Sequence, residues 1–298
     1  METISNCPIC NKNLFTPFIT CTDYTVSQKD FQIVTCNECS FKFTNPKPTN
    51  EDLGSYYKSN DYISHTNSDK GWFNKLYKTV RNYTIDKKVK ALSKYNAPSK
   101  TLLDIGCGTG EFLNAAKIKQ WHVTGLEPGV DARNLAIKNY GLHVFDIDHL
   151  AKLKPQSFDV ITMWHVLEHI PNLHETIKQL KQILAPNGTL IVAVPNSNAI
   201  EAKNFGRFWA AYDVPRHLNH FSAKNVINLL KINNLDVCST KPMIFDPFYI
   251  AMLSAKYQNK SPFFGLVLGI YHGLRTNVFS LINVQHASSL VYTIRHKK

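Results

Sequence analysis

The sequence predicts an α/β protein built on a largely parallel sheet and preceded by a small metal-binding ribbon. From about Ser99 onward, short apolar segments alternate with segments of helical periodicity, a pattern typical of parallel βαβ units. Two Cys-x-x-Cys pairs lie within the first 39 residues. We therefore expect a ribbon over 1–48, a helical arm or linker over 49–98, and the α/β domain over 99–298.

Composition places the chain among folded globular proteins and gives it a strong positive charge. Its 298 residues are 44% hydrophobic and 19% charged, and the formal net charge is +12. A solvated basic face is the simplest explanation of the many lysines. The alternative is an acidic partner, such as a nucleotide-sugar or an RNA.

We expect neither an export signal nor a membrane span. The N-terminus lacks a basic stretch followed by an apolar one. The longest apolar run, 263–274, is shorter than the ~20 residues of a spanning helix and contains His272. We therefore expect a cytoplasmic protein with reduced thiols, in which closely paired cysteines hold a metal rather than form disulfides.

The four paired cysteines have the spacing of a structural zinc site. Each Cys-x-x-Cys knuckle can turn both sulfurs toward one ion, so two knuckles complete a tetrahedral shell of thiolates. A closed shell leaves no position for water, which predicts a structural rather than a catalytic metal. The predicted ligands are Cys7, Cys10, Cys36 and Cys39.

The arm contains one clear helical pattern. Apolar residues at 72, 73, 76, 77 and 80 recur with helical spacing, which predicts a helix over 71–95. Two roles are open. The arm packs on the α/β domain, or its Tyr56, Tyr57 and Tyr62 line the entrance to a substrate site.

A glycine-rich loop follows the first predicted strand of the α/β domain, 102–105. Gly106, Gly108 and Gly110 alternate, and a helix is predicted from Glu111. Glycine lets a ligand approach the backbone closely and permits the φ values of a tight turn. A dinucleotide fingerprint needs its third glycine at 111, so pyrophosphate is not the favoured ligand.

This stretch resembles motif I of class I S-adenosylmethionine-dependent methyltransferases, in which an acidic residue stands two positions before Gly-x-Gly-x-Gly. The resemblance implies a Rossmann-like sheet of strand order 3-2-1-4-5-7-6, with the last strand antiparallel. It also implies that the loop binds S-adenosylmethionine. The implied cofactor-binding residues are Asp104, Gly106, Cys107, Gly108 and Gly110.

Four further residues complete the expected cofactor site. Glu127 ends the second strand, 123–126, where an acidic residue can accept hydrogen bonds from both ribose hydroxyls. Asp146 follows the third strand, 142–145, and either it or Asp148 could reach the adenine amino group. Trp164 and His165 follow the fourth strand, 157–163, at the edge where open α/β sheets bind ligands.

The run from His165 to His169, His-Val-Leu-Glu-His, also resembles the family, in the subgroup with small-molecule acceptors. The Asn/Asp-Pro-Pro-Tyr motif of many DNA and protein amide methyltransferases does not stand here, which disfavours nucleic-acid bases as acceptors. Glu168 and His169 either orient this loop or take part in the site.

An aromatic and basic insertion, 196–221, follows the fifth strand, 189–194, and is expected to form a lid over the acceptor. Its rings and cations suit a flat or anionic molecule. The segment from His217 to Ser222 resembles the His-Leu-x-Tyr-Phe-Ser segment of zinc-containing sugar methyltransferases, in which the histidine acts as the base. This sequence has His220 in place of the tyrosine and does not contain that subgroup's long extra C-terminal domain. The expected catalytic residues are His217, His220 and His165; alternatively, Arg216, His217 and His220 only fasten the lid.

The last part of the chain predicts a helix, a strand, an added pair of helices and a final strand. Ser222 is expected to cap the helix 223–234, without a full capping box because Asn225 replaces Glu. The strands 235–244 and 288–294 enclose the insertion 246–282. We expect this insertion to be a packed or dimerising surface rather than a membrane anchor.

The favoured function is transfer of a methyl group from S-adenosylmethionine to a small-molecule acceptor by in-line displacement. In such a reaction the protein mainly holds the acceptor at near-attack distance. A sugar, a polysaccharide precursor and a secondary metabolite all fit as acceptors. The first alternative is an RNA methyltransferase that grips phosphates with its ribbon and basic surface. The second is a cofactor-binding protein without catalysis, or a nicotinamide enzyme.

Overall fold

The structure is a computed structural model that describes residues 1–57, 72–95 and 97–297, and the backbone alone over 72–77. Tyr62 lies outside the described residues. The strands are β1 (Phe15–Thr22), β2 (Asp30–Cys36), β3 (Lys42–Thr44), β4 (Thr101–Ile105), β5 (His122–Leu126), β6 (Val144–Phe145), β7 (Phe158–Trp164), β8 (Leu184–Pro195), β9 (Asn219–His220), β10 (Leu235–Pro242) and β11 (Ser289–His296).

The helices follow the predicted order along the chain. The long helix of the arm occupies most of the predicted 71–95, and two helices fill the predicted insertion 246–282. None of the helices in the described ranges combines the length and hydropathy of a membrane span. The helices are α1 (Asn50–Leu53), α2 (Trp72–Leu92), α3 (Glu111–Ile118), α4 (Val130–Tyr140), α5 (Leu173–Ile183), α6 (Ile200–Phe205), α7 (Ala223–Ile232), α8 (Asp246–Tyr257) and α9 (Pro262–Ile282).

Seven strands form the main sheet, in the order β10-β11-β8-β7-β4-β5-β6. β4 pairs in parallel with β5 and β7, whereas β11 is antiparallel to β8 and β10. Numbered along the α/β domain and read from the β6 edge, the order is 3-2-1-4-5-7-6, so the predicted topology is confirmed. The strand order changes direction at β4: β5 and β6 lie on one side of it, and β7 and β8 lie on the other. At such a switch point the carboxyl ends of parallel strands form a crevice in which ligands bind.

The ribbon forms a second sheet, and the last strand of that sheet comes from the predicted lid. β1, β2 and β3 pair in antiparallel fashion, and β3 pairs with β9, with Phe43 opposite Asn219. Phe41 and Phe43 are fully buried in the same apolar cluster as Val192 of β8 and Leu229 of α7. The ribbon therefore shares its core with the α/β domain. The division at 48 and 98 stays a prediction.

The start of α7 differs from the prediction in one contact. The Ser222 hydroxyl accepts a hydrogen bond from the Asn225 N–H at 3.3 Å, and Asn225 Oδ1 accepts one from the Ser222 backbone N–H at 3.1 Å. The expected absence of a capping box is therefore wrong. The Asn225 amide also donates to the Cys39 carbonyl at 3.1 Å, which fixes the short side chain where it can reach back.

Thr44→Val tests the junction between ribbon and lid. The buried Thr44 hydroxyl donates to the His217 carbonyl at 2.9 Å and lies 3.1 Å from His220 Nε2. Valine has the same shape but leaves both buried groups unpartnered, so we expect the free energy of unfolding in urea to fall by about 1–3 kcal/mol. Thr20→Val, at an exposed position of β1, is the control and should change it by less than about 0.5 kcal/mol. Equal effects would mean that the junction does not depend on these bonds.

Candidate active site

The glycine loop after β4 lies at the crevice where the strand order reverses. Gly106, Gly108 and Gly110 have φ values of 69°, 55° and 86°, a region that favours glycine. A Cβ at Gly106 would collide with Val166, and one at Gly110 would lie 2.6 Å from Leu142 Cδ1. A Cβ at Gly108 would meet no described atom within 4 Å. The outer glycines thus serve packing, and Gly108 faces open space that a ligand can fill.

Two carboxylates flank this loop. Glu127 accepts hydrogen bonds from the N–H groups of Gly108 at 2.9 Å and Gly129 at 2.8 Å, so it ties together the loops after β4 and β5. Burial raises the pKa of Glu127. Asp104 is buried and accepts a 2.5 Å hydrogen bond from Thr162 Oγ1. Burial raises the pKa of Asp104 to about 7, although the bond from Thr162 opposes the shift.

The other predicted cofactor residues offer different atoms to a ligand. Cys107 is buried, and a Cβ at Gly125 would lie 2.7 Å from its Sγ, so its side chain fills the space beside β5. The exposed Asp146 accepts a hydrogen bond from Arg133 Nη1 at 2.9 Å. The indole Nε1 of Trp164 is buried without a hydrogen-bond partner among the described residues. That nitrogen is a donor which a bound ligand can satisfy.

A cavity of about 680 Å³, here called the lid cavity, lies beyond the carboxyl ends of β7 and β8. Its walls come from the ribbon, α2, the insertion 196–221 and α8. The insertion therefore contributes to the wall of a cavity, and its role as a lid stays a prediction. The cavity is lined by charged, histidine and tyrosine side chains, among them Lys88, His165, Glu168, Asp213, Arg216, His217, Asp246, Tyr249, Lys256 and Tyr257.

Glu168, His169 and His217 form a triad at the wall of this cavity, with one ligating atom of each within 4.8 Å of the others. Nδ1 of His217 lies 2.9 Å from the Ala211 carbonyl, and Nδ1 of His169 lies 3.0 Å from the Arg216 carbonyl. A carbonyl only accepts, so each Nδ1 carries the hydrogen and each Nε2 keeps a lone pair. The triad can therefore receive a proton or hold a metal ion.

His165 lies between two carboxylates, which favour its protonated form. Its Nε2 lies 3.0 Å from Asp246 Oδ2, and its Nδ1 lies 3.4 Å from Glu168 Oε1. Burial favours the neutral ring, but the two carboxylates outweigh burial and raise the pKa of His165 to about 10. Both ring nitrogens hold a hydrogen at neutral pH. The catalytic role expected of His165 stays a prediction, and this pairing does not favour a role as the base.

His220 does not line the lid cavity. The Thr44 hydroxyl gives its only hydrogen to the His217 carbonyl, so it accepts its second bond from the Nε2–H of His220. Burial holds the pKa of His220 well below its ordinary value. The catalytic role expected of His220 stays a prediction, and these contacts favour the alternative that the ring fastens the lid to the ribbon.

Arg216 joins the lid to the ribbon and to the arm. Its Nη2 lies 3.0 Å from Asp23 Oδ1 and 2.6 Å from Asp213 Oδ1, and its Nη1 donates to the Tyr56 carbonyl at 3.1 Å. The Tyr57 hydroxyl lies 2.9 Å from Nδ1 of His169, a member of the triad. The arm therefore contacts both the lid and the triad.

Sequence reasoning missed two charged residues of the cavity. Lys88 Nζ lies 3.8 Å from the centroid of the Trp164 ring, and burial lowers the pKa of Lys88 to about 8. Asp246 stands in the first turn of α8 and pairs with His165. The pair Asp246-Pro247 signals a helix start, but nothing in the sequence indicates which group that helix end meets.

The four paired cysteines converge within the ribbon. Their four sulfur atoms lie within 4.8 Å of one another, with Cys7 Sγ 3.6 Å from Cys39 Sγ and Cys10 Sγ 3.5 Å from Cys36 Sγ. Tetrahedral zinc with bonds of about 2.3 Å separates its sulfurs by about 3.8 Å, so the cluster fits a zinc ion closely. Cys21 is buried elsewhere, between the ribbon and the lid.

Comparisons with known proteins point to one chemistry. A family model described as a methyltransferase domain matches residues 77–240. The chain is 26% identical over 174 residues to the ubiquinone biosynthesis O-methyltransferase of Idiomarina loihiensis, which covers 53% of this chain and 70% of that protein. It is 33% identical over 106 residues to the Saccharophagus degradans enzyme of the same name, over 33% of this chain and 45% of that one.

Solved structures share the fold at low sequence identity. A SAM-dependent methyltransferase from Archaeoglobus fulgidus superposes with a TM-score of 0.51 at 16% identity, over 76% of this chain and all of that one. Phosphoethanolamine N-methyltransferase 2 of Haemonchus contortus superposes with a TM-score of 0.53 at 14% identity, over 86% of this chain and 61% of that one.

Gly108→Ala tests the open space beside the glycine loop. The new Cβ meets no protein atom but occupies the expected path of the cofactor, and the positive φ costs alanine about 1–2 kcal/mol. We expect the affinity for S-adenosylmethionine, measured by titration calorimetry, to fall at least about tenfold, while the chain still unfolds cooperatively. Gly54→Ala is the control, because that Cβ also meets no atom within 4 Å and φ is −56°. Unchanged affinity in the Gly108 variant would place the cofactor elsewhere.

Proposed function

The chain belongs to the S-adenosylmethionine-dependent methyltransferases, and we propose that it methylates a hydroxyl group of a small molecule bound in the lid cavity. The observation that carries the proposal is His217 Nε2, which keeps a lone pair at the wall of that cavity. Val166, next to the triad, packs against the glycine loop, so donor and acceptor regions adjoin. An oxygen acceptor is supported by the O-methyltransferase relatives.

In the proposed reaction the acceptor oxygen attacks the methyl carbon in line with the sulfonium. The O–C bond forms as the C–S bond breaks, S-adenosylhomocysteine leaves, and the hydroxyl proton passes to His217 Nε2. Asp213 Oδ2 lies 3.9 Å from that nitrogen, and Glu168 is the neighbouring member of the triad, so two carboxylates stabilise the imidazolium that forms. His169 is the weaker base, because burial and His217 lower its pKa to about 4.

The charges of the lid cavity support an acceptor that also carries an anionic group. Arg216 and His165 are each held between two carboxylates, which compensate their charge. Lys88 and Lys256 also line the cavity and make no ion pair within 4 Å among the described residues. An acidic sugar, an acidic polysaccharide precursor or an acidic secondary metabolite would complement these two lysines.

The RNA alternative is weakened by the packing of the ribbon. β9 pairs with the outer edge of β3, and the Asn225 amide donates a hydrogen bond to the Cys39 carbonyl. Both contacts turn the ribbon toward the lid and α7. Its described contacts thus serve the molecule's own core and do not leave that edge of the ribbon open to a nucleic acid.

We further propose that the four cysteines hold a structural zinc ion. The sulfur spacing supports it, as does the closed set of four thiolates. In this role the ion fixes β3, and β3 in turn holds the backbone of His217 and β9. The metal would act on catalysis only through the position of the lid.

His217→Gln tests the proposed base. Labelled S-adenosylmethionine is supplied with a cell metabolite extract, and the labelled product is then isolated and used as the assay. We expect kcat to fall by about 10²–10⁴ with a nearly unchanged KM, because glutamine cannot take the proton. His122→Gln, at an exposed position on β5, is the control and should retain full activity.

Two outcomes would contradict this function. An unchanged kcat in the His217 variant would leave that residue a lid contact. Label that enters RNA and not the low-mass fraction would favour the alternative acceptor class.

Cys36→Ser tests the zinc proposal. Loss of one thiolate should lower bound zinc, measured by mass spectrometry of the metal, from about one ion per chain to near zero. Because β3 then loosens and β9 is its partner, kcat should fall while the affinity for S-adenosylmethionine stays within about threefold. Cys238→Ser replaces an exposed, unpaired cysteine and should change none of these quantities. A zinc content unaffected by the Cys36 change would exclude the cluster as the site.

A further inference from the structure

The helix α9 exposes one long apolar face. Leu281 is 86% exposed, Ile282 80% and Phe263 69%, and the face continues between them through Ile270, Leu274 and neighbouring residues. At about 100° per residue, nine of the exposed apolar residues between Phe263 and Ile282 fall within an arc of about 120°. The arc extends along about 30 Å of helix. Isolated exposed leucines are ordinary, but a continuous apolar face of this length marks an interaction surface.

The opposite face of α9 fixes its orientation. Gly265, Gly269 and Gly273 face α8, and a Cβ at the latter two would collide with Met252 and Phe248. These glycines let the two helices approach closely, so the small-residue side is the inner side of the hairpin. The apolar face consequently points away from α8 and is left exposed by the described part of the chain.

The charge of this region selects the partner. From residue 247 to residue 298 the sequence contains six lysines and arginines and no aspartate or glutamate. Lys256 and Lys260 stand at the turn between α8 and α9, and Arg275 lies at the border of the apolar face, 5.7 Å from the Phe279 ring centroid. A second copy of the chain carries the same positive charge in this region and offers no acidic residue from 247–298 to pair with these cations. An anionic surface would complement them.

We propose that α9 docks in the plane of an anionic lipid bilayer surface, with its apolar face in the acyl boundary and Lys260 and Arg275 at the headgroups. The helix lies on the membrane and does not cross it. α8, which packs on α9, also supplies Tyr249, Lys256 and Tyr257 to the lid cavity. Docking therefore places the cavity one helix away from the bilayer. This inference does not depend on the identity of the acceptor.

Vesicle flotation of the full chain tests the docking. We expect binding to vesicles of phosphatidylglycerol and phosphatidylcholine, at least about fivefold weaker binding to phosphatidylcholine alone, and weaker binding as salt is raised from 0.1 to 0.5 M, since salt screens the headgroup contacts. Leu274→Asp combined with Leu281→Asp should lower the bound fraction at least about tenfold. The matched control is Ile118→Asp combined with Ile232→Asp, two exposed apolar positions on other helices, which should bind as the unchanged chain does.

Three results would overturn the proposal. They are no binding of the unchanged chain to anionic vesicles, equal loss in the two double variants, and a stable dimer in sedimentation that the α9 variant dissociates. The last result would assign the apolar face to a second copy. Methyl transfer in vesicle-free assays is measured in parallel, so failure of docking stays distinct from failure of the proposed function.

Discussion

The buried guanidinium of Arg216 holds the ribbon, the lid and the arm in one arrangement. Only 2% of this residue is exposed, and its partners are Asp23 in the ribbon, Asp213 in the lid and the carbonyl of Tyr56 in the arm. Removing a charge from water is costly unless it is fully paired, and removing one partner would leave an uncompensated charge in the interior. The guanidinium is paired here, and both carboxyl groups keep a lowered pKa against the effect of burial. Hydrogen bonds from Ser27, together with the guanidinium, lower the pKa of Asp23, and the guanidinium lowers that of Asp213. His217 follows Arg216 directly in the chain, so this pairing also positions the proposed base.

One carboxylate, Glu168, adjoins three histidines whose surroundings differ. Glu168 contacts His165, which also pairs with a second carboxylate, Asp246, and it adjoins His169 and His217. Burial lowers the pKa of His169 to about 4. The pKa of His165 is therefore raised while that of His169 is lowered, although both rings lie beside the same carboxylate. Because two carboxylates surround His165, its protonated ring does not add net positive charge where a sulfonium must bind. The same imidazole ring at three sequence positions thus has different chemistry, and the difference arises from its neighbours in the tertiary structure.

Features that depend on short-range sequence patterns could be predicted from the sequence. Hydrogen bonds and ion pairs between residues far apart in the chain could not. The strand order, the glycine loop and the cysteine cluster follow from periodicity, spacing and the family resemblance, and the structure agrees with them. Arg216 and Asp23 stand 193 positions apart, and β9 is two residues long, so neither contact leaves a periodic signal. Asn225 illustrates the same limit at short range. Its capping bond forms because Cys39, 186 positions away, orients the amide.

The two halves of the site differ in how they are assembled, and this difference sets how each responds to change. The proposed donor region is local: Asp104, the glycine loop and Glu127 lie within one βαβ unit, joined by the β4–β5 pairing and by the hydrogen bond from the Gly108 N–H to the Glu127 carboxylate. The acceptor region gathers Tyr24 of the ribbon, Lys88 of α2, His217 of the lid and Tyr257 of α8 from the whole chain. A disturbance of the ribbon therefore reaches the acceptor region through β3 and β9 but has no equally direct route to the donor region. Additions to the chain, such as the α8–α9 hairpin between β10 and β11, can reshape the cavity while the register of the sheet and the glycine loop stay as they are.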